Sequence, residues 1–132
     1  MSTFEIDFGE IKSPVVGIDL GTTNSLVASM GPSGVPEIIP DPNGERLVPS
    51  IVSITPSGGL LVGKAAREAL IKNPDRTVYS AKRLMGRGVD DIRDELKLFP
   101  FRIAPESESV IKLQLGERTL TPPQVGAEVL KQ

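Results

Sequence analysis

Asp19 stands near the end of a short apolar run, just ahead of a tight polar turn, in the order Gly17-Ile18-Asp19-Leu20-Gly21-Thr22-Thr23-Asn24-Ser25. An ionised carboxylate in an apolar strand is costly unless it is paired or lies near a cation. Gly21 lets the backbone approach a ligand closely. Successive amides in such a turn form a concave anion site, and the hydroxyls of Thr22 and Thr23 add donors. These groups suit a polyphosphate carrying its metal, with amides and hydroxyls on the oxygens and Asp19 on the ion or its water. Mg²⁺ fits that role because it keeps most of its waters and takes few carboxylates. A plain hairpin in which Asp19 caps the turn would use the same residues. Nothing matches the Walker pattern G-x-x-x-x-G-K-[ST], and no G-x-G-x-x-G follows a strand.

A second group is Ser80-Ala81-Lys82-Arg83-Leu84-Met85-Gly86-Arg87, where Lys82, Arg83 and Arg87 lie beside a glycine turn. A lysine held on a rigid element can set a point charge against a γ-phosphate or orient an attacking water. A solvated basic face is the alternative. Asp90, Asp91, Asp94, Glu106 and Glu108 read as solvated helix starts and turns, and Pro49-Ser50 and Asn73-Pro74 as structural punctuation.

Composition narrows the chemistry further. The chain has 132 residues, enough for one ordinary domain or a piece of a larger one. It has no cysteine and no histidine, which excludes thiol catalysis, disulfide scaffolds, histidine triads and thiolate or histidine metal sites. The formal net charge of −2 and an aromatic content of 4% argue against nucleic acid as a partner. No apolar run approaches the length of a membrane span, so no membrane partner is expected. Residues 1–13 carry Glu5, Asp7 and Glu10 ahead of Lys12, the reverse of a signal peptide, and read as a flexible leader. The cytoplasm is the expected location.

Short elements must position the two groups. Residues 15–20, 24–30 and 35–39, joined by Gly21-Thr22-Thr23 and Pro32-Ser33-Gly34, predict an antiparallel meander. Residues 40–49 read as a loop, and 50–55 and 60–62 as further strands. Residues 64–72 predict a helix with Ala65, Ala66, Ala69 and Leu70 on one face, stopped by Asn73-Pro74. Residues 77–85 carry no clear period, and 89–98 predict a short helix with an acidic start. Residues 101–104, 110–115 and 118–120 read as strands, with Ile111, Leu113 and Leu115 on the buried side. Thr121-Pro122-Pro123-Gln124 has the marks of a capping box, and Val125, Gly126, Val129 and Leu130 supply one apolar face to the helix that follows. A well-marked helix that stops at Gln132 reads as cut mid-element.

The segment GIDLGTTNSLVA resembles the first phosphate-binding hairpin of the 70-kDa heat-shock chaperones. NGERLVPSIV, LLVGKAAREALIKNP, SAKRLMGR and TPPQVGAEVLK follow in that family's order, so the likeness runs from about Val15 to Gln132. The G-x-D-x-G-T-T hairpin is shared with some sugar kinases and actin-like proteins, whereas the K-R-L-M-G-R block is far more particular to the chaperones. SLVA with RLMGR and an N-terminal leader also looks like the branch serving iron–sulfur cluster assembly.

The resemblance implies an α/β fold: a truncated lobe of the actin-like, ribonuclease H-like ATPase fold with a small α+β inserted subdomain. Residues 14–132 would be the N-terminal part of the nucleotide-binding domain, with 50–120 contributing much of the inserted subdomain. The implied cofactors are ATP or ADP and Mg²⁺. Asp19 would hold water on Mg²⁺, Gly21, Thr22, Thr23 and Asn24 would contact the β- and γ-phosphates, and Lys82 would be catalytic beside the γ-phosphate. The parent activity would be ATP hydrolysis driving binding and release of unfolded client polypeptides, with a J-domain co-chaperone and a nucleotide-exchange factor as partners. The family's second phosphate hairpin and adenosine-binding residues lie downstream of anything present. The chain alone is therefore expected to be inactive as an ATPase and to self-associate through faces meant for the rest of the domain. A sugar- or acid-kinase piece of the same fold and an interaction module without nucleotide are the rival functions.

Overall fold

A computed structural model of the chain describes residues 15–105, 107 and 110–132. The leader, Glu106 and Glu108 lie outside the described residues. The chain forms a mixed α/β structure from three small antiparallel sheets and short helices.

The first sheet is the expected meander. Strands β1 (Val16–Leu20), β2 (Asn24–Met30) and β3 (Pro36–Ile38) pair in sequence, with Asp19 opposite Leu26 and Leu20 opposite Ser25. The stretch expected to be loop contributes a two-residue strand, β4 (Val48–Pro49), whose Pro49 pairs with Asn24. The pairing comes from a partner distant in sequence, so the local excess of Pro, Asn and Gly in 40–49 hides it. Inside that loop, the Asp41 carboxylate accepts from the amides of Asn43 and Glu45 at 2.8 and 2.9 Å, closing an Asx-type turn.

The second sheet sets β5 (Ile51–Ile54) between β6 (Leu60–Val62) and β7 (Thr77–Tyr79). Every residue of β5 is buried. Helix α1 (Lys64–Lys72) covers this sheet through Ala66 and Ala69, whose small side chains permit close approach. Ala65, expected on that face, is exposed, because contact with the sheet narrows the covered stripe to positions three apart. Asn73 ends the helix as expected, and Pro74 opens a single 3₁₀ turn.

The unclear stretch 77–85 is two elements. After β7, Ser80 adopts left-handed geometry with φ 54°, and Ala81–Leu84 form a 3₁₀ turn. Residues 89–98 likewise divide into a 3₁₀ turn, Asp90–Ile92, and a single-turn α2 (Arg93–Leu96). The third sheet orders β8 (Arg102–Ile103), β9 (Leu113–Leu115) and β10 (Arg118–Leu120) with β9 in the middle. Ile111, Leu113 and Leu115 are buried in alternation, as their spacing requires. Helix α3 (Pro122–Leu130) carries the full capping box: the Thr121 amide donates to Gln124 Oε1 at 2.8 Å, and the Gln124 amide to Thr121 Oγ1.

One core joins the second and third sheets to α3 and the turn at 81–84, with Val52, Val78, Leu84, Leu113 and Val125 at its centre. Phe101 belongs to this core and stacks on Phe99 with ring centroids 4.9 Å apart, and Tyr79 meets Phe99 tilted and Phe101 edge-on. The first sheet sends only Leu20 against this core. On α3, Val125, Gly126 and Val129 are buried, whereas Leu130, expected on the same face, is half exposed at the helix end.

Leu84 is 1% exposed and Leu130 49%. Leu84→Ala is expected to cost about 2–5 kcal/mol in urea denaturation. Leu130→Ala should cost about 1 kcal/mol or less, since half its surface already meets water. Equal losses would place the core elsewhere.

Candidate functional site

The loop of Gly21, Thr22 and Thr23 joins β1 to β2, and its carbonyl side faces the body of the protein. Lys82 Nζ donates to the Leu20 carbonyl at 3.0 Å. The Ser50 hydroxyl donates to the Gly21 carbonyl at 2.9 Å, and the Ser50 amide to the Thr23 carbonyl at 2.9 Å. Ser25 and Ser50 Oγ are 2.9 Å apart, and both residues are buried. Among the described residues, outside the strand ladder, the amides of Gly21, Thr22 and Thr23 and the hydroxyls of Thr22 and Thr23 take part in none of these bonds.

Gly21 is required by its own turn. A Cβ there would stand 2.1 Å from the Asn24 carbonyl oxygen, closer than atoms can approach. Gly126 serves a related purpose on α3, where a Cβ would lie 2.8 Å from Met85 Cε and 3.5 Å from Leu20 Cδ2. The helix, the end of β1 and the 81–84 turn thus meet closely, around a small hollow lined by Gly21, Thr22, Ser50, Lys82 and Met85.

The two sequence groups meet in part. Lys82 reaches the hairpin across 62 positions of chain, with its side chain exposed. Asp19 is exposed on β1, so the burial penalty argued from its apolar neighbours does not arise in this structure. Asn24, at the start of β2, also borders a cleft of about 820 Å³ between the 41–49 stretch, the start of α1 and Lys131 and Gln132 beyond α3. The basic cluster does not act as one face. Arg87 turns to α2, donating to Glu95 Oε1 at 3.0 Å and to the Asp91 carbonyl at 3.0 Å. Asp91 accepts from the Gly88 amide, and Asp90 and Asp94 pair with Arg93 and Lys97 on their own turns. They are the solvated helix-start carboxylates that the sequence suggested.

Sequence reasoning missed Ser25 and Ser50. A serine after a proline reads as punctuation, and nothing in local spacing shows that its hydroxyl meets a turn 29 residues away. Among the described residues no group of three or more carboxylates could hold an ion. No helix among them is long and apolar enough to cross a membrane.

The family model described as Hsp70 protein matches residues 15–132. The chaperone protein DnaK of Carsonella ruddii (strain PV) is 37% identical over 121 residues, which cover 90% of this chain and 20% of that relative. The chain thus spans about one fifth of the length of the curated relative it matches.

Two substitutions separate the loop from the lysine. Gly21→Ala should displace the amide resonances of residues 21–24 and cost about 1–3 kcal/mol, as overpacking does. Lys82→Ala removes one exposed hydrogen bond and should change stability by about 1 kcal/mol or less. Chemical denaturation with amide NMR spectra of both variants checks each.

Proposed function

The chain belongs to the Hsp70 protein family, and from that premise we propose that its 21–24 loop, with Asp19 and Lys82, binds the phosphates of ATP or ADP together with Mg²⁺. The observation that carries the reading is the one-sided engagement of the loop. The carbonyls of Leu20, Gly21 and Thr23 are held from behind, and among the described residues none of these bonds uses the loop amides or the threonine hydroxyls. Backbone donors fixed in advance hold phosphate oxygens without reorganising when the ligand arrives.

The residues fit such a group. Gly21, Thr22, Thr23 and Asn24 would receive phosphate oxygens through amides and hydroxyls. Asp19, exposed beside the loop, would hold a water of the metal rather than the bare ion, as Mg²⁺ coordination favours. Lys82 would exchange its bond to the Leu20 carbonyl for the terminal phosphate and help position the attacking water. Bound Mg²⁺ would supply positive charge against the phosphate oxygens.

The wider reading concerns the longer protein. There, ATP hydrolysis would drive binding and release of unfolded client polypeptides in the cytoplasm, with a J-domain co-chaperone and a nucleotide-exchange factor. Residues 14–132 would be the opening part of an actin-like nucleotide-binding domain, with 50–120 contributing much of its small inserted subdomain. The match to the Hsp70 family weighs against a sugar or acid kinase built on the same hairpin. In the 132-residue chain Lys82 is exposed and the loop only partly buried, and electrostatic contacts there are worth far less than in a closed cleft. The chain alone is therefore not a competent ATPase.

Titrating Mg·ATP into labelled protein should shift the amides of residues 21–24 and those near Lys82, and the shifts should vanish without Mg²⁺. Flat spectra at millimolar nucleotide would favour a plain interaction module. Hydrolysis that survives purification and is abolished by Lys82→Ala would overturn the inactivity of the isolated chain.

The first sheet also exposes Val15, Val16, Ile18, Met30, Ile38 and Ile39. Apolar surface of this kind favours association. Sedimentation should show species heavier than the monomer at high concentration, and a strict monomer would count against it.

A further inference from the structure

We infer that Ser50 is a positioning residue for the 21–24 loop: a buried clasp that fixes the loop in its ligand-receiving form and ties it to the element carrying Lys82. This rests on the phosphate-binding reading for its purpose, although the clasp itself is a matter of geometry.

Ser50 meets the loop twice. Its hydroxyl donates to the Gly21 carbonyl and its amide to the Thr23 carbonyl, each at 2.9 Å, so one residue spans both ends of the Gly-Thr-Thr turn. A carbonyl only accepts, so the single hydroxyl proton of Ser50 is committed to Gly21. The bond of 2.9 Å between the two serine hydroxyls must then run from Ser25 to Ser50. The result is a directed chain, Ser25 to Ser50 to Gly21, closed inside the protein: Ser25 is 6% and Ser50 7% exposed. Removing its middle member leaves a carbonyl and a hydroxyl without their partners.

Ser50 is also joined to the lysine. It directly precedes β5, whose Ile51 pairs with Tyr79 at the end of β7. Three residues beyond Tyr79, after the left-handed Ser80, stands Lys82, whose Nζ reaches the Leu20 carbonyl at 3.0 Å. Loop and lysine therefore take their positions from one strand pair. A shift of β5 against β7 would move the anion-binding amides and the ammonium relative to each other.

The test compares Ser50→Ala with Ser53→Ala in the 132-residue chain. Ser53 is as deeply buried, and its hydroxyl lies 2.8 Å from Thr77 Oγ1 in the same sheet, away from the loop. Ser53→Ala thus reports what losing any buried hydroxyl does. In wild type, amide order parameters for residues 21–24 should be near the rigid value of about 0.85. Ser50→Ala should lower them to about 0.6 or less and weaken Mg·ATP binding roughly tenfold, a step of about 1.4 kcal/mol. Ser53→Ala should leave both unchanged. A loop as rigid in Ser50→Ala as in wild type, or loosened equally by Ser53→Ala, overturns the inference. If wild type ignores Mg·ATP while Ser50→Ala alone loosens the loop, the nucleotide reading fails and the clasp stands. Should Ser50→Ala not fold, Ser50→Cys, which keeps the shape but puts a weak thiol donor in place of the hydroxyl, is read in the same way: a loosened loop supports the clasp and an unchanged one overturns it.

Discussion

Backbone carbonyls turned toward a protein interior must find donors there. That requirement organises the region around the first hairpin. The turn after β1 presents the carbonyls of Leu20, Gly21 and Thr23 to the rest of the chain, and Lys82 and Ser50 answer them. These bonds all use the carbonyl side of the turn, and the proposed ligand would meet its amide and hydroxyl side. The same bonds bring an ammonium beside a loop 62 positions earlier in the chain. Anchoring and candidate chemistry are therefore two consequences of one set of hydrogen bonds.

The apolar energetics lie elsewhere. The core is built by β5, β7, β9, α3 and the turn at 81–84, and the first sheet contributes only Leu20 to it. Strand β1 is exposed from Val16 through Asp19. A sheet with few buried apolar contacts belongs at the low end of local stability, where small free energies move it. Its attachment by directed hydrogen bonds rather than by packing makes the buried serine pair more consequential than its size suggests. Gly126 reinforces the attachment sterically by admitting Met85 and Leu20, whereas Gly21 serves the hairpin's own turn by admitting the Asn24 carbonyl.

The match to the Hsp70 family covers both the small body and the hairpin held against it, since it runs over residues 15–132. The curated DnaK relative is about five times as long as the matched stretch, and the exposed apolar residues of β1 to β3 lie on a sheet that little among the described residues covers. The proposal that the hairpin is a phosphate site draws on the sequence motif and on the engagement of the loop through its carbonyls together.

Much of the local structure was legible from residue order alone. Thr121, Pro122 and Gln124 announced the start of α3, because a capping box uses only residues within one turn. The alternation of Ile111, Leu113 and Leu115 named the buried side of β9, and β2 spans the residues its composition marked. The stretch 77–85 stayed unreadable because it holds a strand and a 3₁₀ turn separated by a left-handed Ser80, with too few residues of each to show a period. Strand β4 and the exposure of Ala65 depended on which neighbours arrived. For the candidate site, the sequence determined the chemical types: one carboxylate, a glycine turn with two hydroxyls, and a lysine. Only tertiary structure decided that Lys82 meets the hairpin, that Arg87 leaves for Glu95, and that Ser50 grips the loop. The physical reason is range: caps and alternation are settled by neighbours in the chain, whereas a carbonyl's donor is settled by whichever group folding brings within hydrogen-bond reach.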